Sequence, residues 1–323
     1  MSAMTWMLTG GAGYIGAHIV RAFRDMDLPV VVLDDLSAGV RENVPDDVPF
    51  VQAAVQDVDA VRAAVREHRV SGLLHLAAKK AVGESVERPL LYWDENVGGM
   101  VDLLRTVTEE GVDRVLFSSS AAVYGNPPDE FVTEETVTGP MSPYGETKLV
   151  GEWVLRDLAT ADAQLRWAAL RYFNVAGTGA PELGDRSVAN LIPMTFQALS
   201  QGRNPQLFGN DYDTRDGSCV RDYIHVVDLA DAHAAAARRL DEGPLGEVFN
   251  IGRGDGVSVI EVFDVVRAVT GIDFAVDVKP RRAGDPTAYY ANPAKINEQL
   301  GWTARLGLED MVRSAWEGWQ SLH

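Results

Sequence analysis

Apolar residues recur along the first half of the chain in two alternating patterns. Short apolar runs, of which 5–9 and 30–34 are the first two, have the length of buried strands. Between them, Ile15, Ile19 and Phe23 follow the helical period and fall on one helix face. Strand and helix patterns that alternate in this way predict βαβ units and a parallel sheet.

The same alternation continues to about residue 175. The further elements predicted in this half are a helix over 57–69, strands over 73–76, 114–118 and 167–173, and helices over about 92–110 and 142–160. We therefore predict an α/β fold with a Rossmann-type, doubly wound parallel sheet, and we assign residues 1–175 to its sheet domain.

The second half of the chain is richer in loops. Gly, Pro and Asp separate short helices predicted at about 187–201 and 228–240. The run 247–252 has the pattern of a strand and is predicted to return to the main sheet. Residues 176–323 are therefore predicted to form a smaller, interleaved C-terminal substrate-binding lobe, with about 220–252 contributing to the main sheet.

Composition limits the classes of function. The formal net charge of −18 disfavours nucleic acid and anionic membranes as partners, because the long-range field repels polyanions. No apolar run approaches the roughly 20 residues that span a bilayer, so no membrane association is predicted. The single cysteine, Cys219, cannot form an internal disulfide, which fits a cytoplasmic location. The six histidines lack the spacing of metal ligands, so no metal site is predicted.

A glycine-rich turn connects the first predicted strand to the first helix. Gly10, Gly13 and Gly16 have a G-x-x-G-x-x-G spacing, which allows a tight turn and brings a pyrophosphate close to backbone N–H groups. Asp34 ends the second strand, where a carboxylate accepts hydrogen bonds from ribose hydroxyls and repels a 2′-phosphate. Asp35 is either a further ribose contact or a solvated loop acid. The pattern favours NAD over NADP and makes residues 1–175 the NAD-binding domain.

The residues best suited to proton transfer lie at the start of the helix predicted over 142–160. Ser142 and Pro143 are typical of an N-cap and a first helical position, so Tyr144 and Lys148 lie one turn apart on one face. The ammonium can then lower the pKa of the phenol, and a tyrosinate can take a proton from a substrate hydroxyl as hydride leaves for NAD. A Tyr-x-x-x-Lys pair alone also fits a surface helix. Ser120, at the carboxyl end of the preceding strand, favours the catalytic interpretation, because ligands of open α/β sheets bind at that edge.

Further segments resemble a known family. The segments are 81–85, 118–125, 171–174, 208–212, 220–226 and 281–285. Together with the glycine-rich turn, they resemble the UDP-glucose 4-epimerase family of extended short-chain dehydrogenases/reductases nearly end to end. The resemblance implies an NAD-dependent isomerase that interconverts UDP-glucose and UDP-galactose through a transient 4-keto intermediate, with NAD tightly bound.

The resemblance also implies roles for residues. Ser120 is implied to hydrogen-bond the reacting sugar oxygen, Tyr144 to act as acid and base, and Lys148 to hold the nicotinamide ribose. Arg221 and Arg282 are implied to bind the diphosphate. The predicted cofactor-binding residues are Gly10, Gly13, Tyr14, Ile15, Gly16, Asp34, Asp35, Ser37, Val55, Ala77, Lys80, Asn96, Ser118, Tyr144, Lys148 and Phe173. The predicted substrate-binding residues are Lys80, Ser120, Tyr144, Asn174, Asn190, Leu191, Gln206, Phe208, Arg221, Arg282, Asp285 and Tyr289.

Three positions bear on affinity and specificity. Ala54 stands where the family commonly has an acid that contacts adenine, so one adenine hydrogen bond is expected to be missing. Ala122 stands where many relatives have threonine, which removes a hydroxyl near Ser120 but no group that transfers protons or hydride. Tyr289 is implied to face the hexose near C2. The alternative is that Tyr289 only packs in the C-terminal lobe and Tyr290 adjoins the pocket.

Two other functions compete with the epimerase. A nucleotide-sugar 4,6-dehydratase of the same family carries an Asp-Glu pair just after the catalytic hydroxyl, whereas this chain has Ala121 and Ala122. Dehydration is disfavoured without a general acid there. A non-catalytic NAD-sensing protein would not need Ser120, Tyr144 and Lys148. The resemblance further implies a homodimer through the helices at about 92–110 and 148–160.

Overall fold

The computed structural model describes residues 5–282 and 286–323. Its strands are β1 (Thr5–Thr9), β2 (Val30–Leu33), β3 (Phe50–Val51), β4 (Val70–His75), β5 (Arg114–Ser120), β6 (Phe131–Val132), β7 (Arg166–Tyr172), β8 (Asn174–Ala176), β9 (Gln206–Phe208), β10 (Val220–His225), β11 (Gly246–Ile251), β12 (Gly256–Ser258), β13 (Asp277–Lys279) and β14 (Ala288–Ala291). Its α-helices are α1 (Tyr14–Asp25), α2 (Val58–His68), α3 (Val82–Glu87), α4 (Pro89–Tyr92), α5 (Gly99–Glu109), α6 (Pro143–Ala161), α7 (Leu191–Ser200), α8 (Val226–Glu242), α9 (Val259–Thr270), α10 (Ala294–Leu300) and α11 (Leu308–Leu322).

The main sheet has seven parallel strands in the order β11-β7-β5-β4-β1-β2-β3. Its strands are apolar on both faces because helices cover both sides. Trp6 and Leu8 point into a core shared with α1 and α8, whereas Met7 points into the opposite core with α2 and α5. The predicted doubly wound α/β fold is confirmed, and the strand order reverses between β1 and β4.

Several predicted elements have different bounds in the structure. The helix predicted over 92–110 is divided into α4, a π-helical turn at Trp93–Gly98, and α5. The π-turn ends at the first of two consecutive glycines, Gly98 and Gly99. The helix predicted at 187–201 starts only at Leu191, since the Asp185 carboxylate accepts a hydrogen bond from the Ser187 N–H and holds a turn there.

The second half of the chain contains more sheet than the sequence predicts. A five-stranded sheet has the order β12-β10-β14-β6 with β8 paired to β10, and β13 pairs with β9. These strands are two to six residues long, too short for a strand period to stand out in the sequence. Of the segment 220–252, only β11 enters the main sheet, where it pairs with β7, while β10 belongs to the smaller sheet.

The two sheets are joined at the end of β7. β8 begins only two residues after β7 ends and pairs with β10, so the chain leaves the main sheet directly into the smaller one. The carboxyl ends of β1, β5 and β7 therefore face the second lobe. Within the described residues, no helix is both long and apolar enough to cross a membrane.

Candidate active site

The glycine-rich turn forms a cradle at the carboxyl end of β1. Gly10 has φ +74°, a left-handed conformation that favours glycine, and a Cβ on Gly16 would collide with the Gly10 carbonyl oxygen. Gly13 is the N-cap of α1 and supplies no capping side chain, so the first N–H groups of the helix are left for a ligand. The cradle fits the pyrophosphate of a dinucleotide.

Asp34 is fixed beside this cradle. Its side chain is buried and accepts hydrogen bonds from the N–H groups of Ala12, at 2.9 Å, and Leu36, at 2.8 Å. Burial is the largest influence on the carboxylate and raises its pKa, although the two N–H donors act in the opposite direction. The remaining lone pairs can accept hydrogen bonds from the hydroxyls of a ribose.

A first cavity of about 260 Å³ opens at this edge of the sheet. Most of the predicted cofactor-binding residues line it: Gly10, Gly13, Tyr14, Ile15, Gly16, Asp34, Asp35, Ser37, Val55, Ala77, Lys80, Tyr144 and Lys148. Asp34, the glycine cradle and Tyr144 all line the cavity, and they suit in turn the adenosine ribose, the pyrophosphate and the nicotinamide end of an extended dinucleotide. The residues present therefore fit NAD.

Three predicted cofactor-binding residues do not line this cavity. The Asn96 side chain is buried and exchanges hydrogen bonds with the backbone of Lys79, at 2.7 and 2.9 Å, which fixes the loop after β4 beside Lys80. The Ser118 hydroxyl pairs with His233 Nε2 at 2.9 Å, and Phe173 packs on Tyr289 with ring centroids 5.5 Å apart. In the structure, the Asn96 side chain is bound to the backbone of a residue that lines the cavity, and the Ser118 and Phe173 side chains contact other residues instead of the cavity.

The helix that bears Tyr144 and Lys148 starts as the sequence predicts. The Ser142 hydroxyl caps α6 by accepting a hydrogen bond from the Gly145 N–H at 3.2 Å, and Pro143 is the first helical residue. Lys148 Nζ donates to the Ser118 carbonyl oxygen at 2.8 Å and lies 6.0 Å from the centroid of the Tyr144 ring. Both side chains are buried.

Burial dominates the electrostatics of this pair. It raises the pKa of Tyr144, while a hydrogen bond with Ser120 lowers that pKa and the charge of Tyr289 raises it. Burial also lowers the pKa of Lys148 to about 7. The sequence predicts that Lys148 lowers the pKa of Tyr144, whereas in the structure this pKa is raised, with desolvation as the largest cause.

A second cavity of about 410 Å³ is lined by Tyr14 at the start of α1 and by residues between 174 and 319. Seven of the predicted substrate-binding residues line it: Asn174, Asn190, Leu191, Gln206, Phe208, Arg221 and Arg282. The Arg282 guanidinium lies 3.8 Å from the centroid of the Phe208 ring, and that of Arg221 lies 5.7 Å from the centroid of the Tyr289 ring. Asp285 lies outside the described residues.

The other predicted substrate-binding residues lie towards the first cavity. Lys80 and Tyr144 line that cavity, and Ser120 contacts Tyr144. Tyr289 packs on Phe173 in the wall beside them. The predicted substrate site is thus spread over the second cavity and the catalytic end of the first.

Two residues that line both cavities connect them. They are Tyr14, which was predicted only as a cofactor contact, and Asp185, which sequence reasoning missed. The Tyr14 hydroxyl donates to the Gly177 carbonyl, and Lys80 Nζ donates to the Ser187 hydroxyl at 3.3 Å. The Asp-x-Ser turn just before a predicted helix is the signal that could have identified Asp185, since such turns often border binding sites.

Known proteins share this arrangement. The sequence model of the NAD dependent epimerase/dehydratase family matches residues 6–252. The chain belongs to this family. A UDP-glucose 4-epimerase of Azospirillum brasilense is 44% identical over 96% of this chain and 91% of its own length.

Solved structures of the family agree along the whole chain. The UDP-glucose 4-epimerase of Stenotrophomonas maltophila, with bound NAD and formylated UDP-arabinopyranose, has a TM-score of 0.95 and 38% identity over 99% of this chain and 98% of that one. The enzyme of Bifidobacterium longum, in complex with NAD+ and UDP, has a TM-score of 0.90 and 36% identity over 98% of each chain. Membership in the NAD dependent epimerase/dehydratase family confirms the predicted resemblance, fold class and cofactor.

The departure at Ala54 leads to a prediction. Ala54 lines the first cavity next to Val55 and Gln56. An Ala54→Asp substitution adds an acceptor for the adenine amino group, so the dissociation constant of NAD is expected to fall about fivefold, the worth of one net hydrogen bond. Calorimetric titration of NAD-depleted protein measures this constant. Ala54→Val fills the same space without an acceptor and should not tighten binding, and equal constants for Ala54→Asp and the parent protein would contradict the proposed cause.

Proposed function

We propose that this protein interconverts UDP-glucose and UDP-galactose by inverting C4 of the hexose, with NAD bound throughout turnover. The observation that carries this proposal is the placement of Tyr144, Lys148 and Ser120 at the end of an NAD-shaped cavity that adjoins a second cavity lined by arginines. Proton-transfer groups and a diphosphate-sized cationic site are what a nucleotide-sugar epimerase requires. The sequence resemblance and the names of the relatives support the same activity.

The proton moves through Tyr144. Its phenolic oxygen takes the proton of the C4 hydroxyl and later returns it, while the Ser120 hydroxyl holds the same sugar oxygen. NAD supplies the acceptor and donor of the C4 hydride when it is bound. Lys148 donates to the Ser118 carbonyl, which fixes its ammonium near the Tyr144 ring, where it would also hold the nicotinamide ribose of bound NAD. No net oxidation results, because each proton and hydride removed is returned.

The two arginines resolve the conflict between an acidic protein and an anionic substrate. With a net charge of −18, the surface as a whole repels a nucleotide diphosphate. Arg221 and Arg282 line the second cavity and present guanidinium groups that can each bind phosphate oxygens in a bidentate manner. Asn174, Asn190 and Phe208 supply amide groups and an aromatic face for the uridine.

The two alternative functions, 4,6-dehydration and non-catalytic NAD sensing, fit the residues of this site less well. Ala121 and Ala122 form a tight turn just after Ser120 and offer no acid to protonate a leaving hydroxyl at C6, so 4,6-dehydration is disfavoured. A non-catalytic NAD sensor would have no reason to bury a lysine whose pKa falls to about 7 next to a tyrosine. Epimerisation uses all three groups.

We also propose that two copies of the chain associate. Helices α3, α4 and α6 contact one another, and each carries an exposed apolar residue: Val86 at 62% exposure, Leu90 at 74% and Trp153 at 46%. Exposed apolar patches on globular proteins are commonly interfaces. The proposed homodimer interface is formed by α6 and the segment around 92–110. We further propose a cytoplasmic location and a division of the chain into an NAD-binding domain, residues 1–175, and a substrate-binding lobe, residues 176–323.

The deciding experiment is an epimerase assay. Purified protein is incubated with UDP-galactose without added reductant, and UDP-glucose is followed by chromatography. Steady formation of UDP-glucose with a full equivalent of NAD retained is expected. Formation of a 4-keto-6-deoxy sugar would instead indicate the dehydratase, and NAD binding without any turnover of either hexose would favour the sensor.

A further inference from the structure

Helix α6 contacts strand β5 through three successive side chains. Tyr144, Lys148 and Glu152 are spaced by four residues and therefore lie on one face of the helix. Tyr144 hydrogen-bonds Ser120, Lys148 Nζ donates to the Ser118 carbonyl oxygen at 2.8 Å, and the Ser119 hydroxyl donates to Glu152 Oε1 at 2.5 Å. The first two belong to the proposed catalytic site, whereas Glu152 lies one turn behind it.

Glu152 is also bound to the neighbouring strand of the main sheet. Arg171 on β7 donates from Nε to Oε1 at 2.9 Å and from Nη2 to Oε2 at 2.6 Å, so that both carboxylate oxygens are engaged. The side chains of Arg171 and Glu152 are only 6% and 5% exposed. Arg171 Nη1 contacts the Tyr124 hydroxyl at 2.9 Å, and this hydroxyl donates to Asn250 on β11 at 2.6 Å. The network therefore joins α6 to three strands.

A buried ion pair of this kind needs a reason beyond stability. Desolvation of two charges offsets most of their attraction, and apolar residues of the same volume often stabilise a core equally well. The pair adds orientation, since a bidentate arginine and a serine hydroxyl can both donate to the carboxylate in one position only. The position of Glu152 along β5 is therefore fixed to within a hydrogen-bond length.

The packing of α6 makes this position matter. A Cβ on Gly151 would lie 2.7 Å from the Phe117 ring, and a Cβ on Gly145 would lie 2.7 Å from the Ala122 carbonyl oxygen. At these two glycines the helix backbone thus lies directly against the Phe117 ring of β5 and against the turn after β5. A shift of α6 along its axis would therefore carry Tyr144 away from Ser120 with little to absorb the movement.

From this geometry we propose that Glu152 is a positioning residue for the epimerase reaction. Held by Ser119 and Arg171, it sets the position of α6 along β5 and thereby the distances from Tyr144 to Ser120 and from Lys148 to Tyr144. It does not touch the substrate or cofactor. The inference rests on the proposed function, and it adds a residue that acts through Tyr144.

The test removes the Ser119 hydroxyl and leaves the ion pair intact. Ser119→Ala should lower kcat for UDP-galactose about tenfold, as expected of misplaced acid–base groups, with KM changed less than twofold and NAD retained. The acid limb of the kcat–pH profile should move to higher pH, because a phenolate farther from Ser120 and Lys148 is less stabilised. Glu152→Gln should lower kcat further, and if this variant fails to fold, Ser119→Ala still carries the test.

Thr106→Val is the matched control. It removes another buried hydroxyl, one that donates to the Asp102 carbonyl within its own helix, α5. It should lower the melting temperature while kcat and the acid limb stay unchanged. If Ser119→Ala behaves like this control, the role of the network is only structural and the proposal fails. If the parent protein itself does not epimerise UDP-galactose, the proposed function fails instead, so the two failures are distinguishable.

Discussion

Replacing Tyr144 by phenylalanine is expected to lower kcat for UDP-galactose by at least about 100-fold, the lower end of what a positioned acid–base group contributes. The phenolic oxygen is the group that exchanges the proton of the C4 hydroxyl. The ring, which is 8% exposed, contributes packing that phenylalanine keeps. NAD should therefore remain bound, since its predicted contacts with the glycine cradle and Asp34 are unchanged.

The measurement combines steady-state kinetics with the absorbance of protein-bound NAD after gel filtration. Tyr290→Phe is the matched control, because it removes a hydroxyl from a half-buried tyrosine on β14 without touching α6. It should keep most of the activity. Near-normal turnover by Tyr144→Phe would refute the acid–base role, and loss of NAD from that variant would show that the phenol also holds the cofactor.

The features of this site that the sequence predicts are formed by residues close together in the chain. The turn from Gly10 to Gly16 and the start of α6 at Ser142 and Pro143 are each encoded within a few residues, so spacing alone reveals them. The carboxyl-edge position of Ser120 follows from the parallel sheet. These predictions depend on backbone preferences that act before any tertiary contact forms.

The parts that the sequence does not predict are long-range. Glu152 appears as one polar residue in an amphipathic helix until Arg171 on β7 lies against it. The resemblance could place Asn96 near the cofactor. Its hydrogen bonds to the Lys79 backbone show that its side chain fixes the loop after β4. Pairing across distant strands decides such contacts, and no local pattern records it.

The same limit applies to the sugar end of the site. β14 is only four residues long, so no strand period in the sequence shows whether Tyr289 or Tyr290 adjoins the pocket. In the structure the Tyr289 ring packs on Phe173 at 5.5 Å and lies beneath the Arg221 guanidinium, while Tyr290 packs on Phe131 instead. Tyr289 also raises the pKa of Tyr144, which places it near the reacting groups.

From this position we expect Tyr289 to determine which hexose is accepted. Its ring lies beneath the guanidinium of Arg221, which is proposed to bind the diphosphate, and near Tyr144, which is proposed to act at C4. We therefore expect the ring to border the space that a C2 substituent occupies. An N-acetyl group there would overlap a ring held by Phe173, and packed sites relax little. The parent protein should therefore strongly prefer UDP-glucose and UDP-galactose over their N-acetylamino counterparts.

Tyr289→Ser or Tyr289→Cys is expected to admit the N-acetylated sugars. Removing the ring should raise kcat/KM for UDP-N-acetylglucosamine at least about tenfold, which corresponds to relief of about 1.4 kcal/mol of overlap. Tyr289→Phe keeps the volume and loses only the hydroxyl, so it should retain the preference of the parent protein. Chromatographic assays with both sugar pairs measure the ratio. Comparable turnover of UDP-N-acetylglucosamine and UDP-glucose by the parent protein would defeat this proposal, because the ring would then exclude nothing.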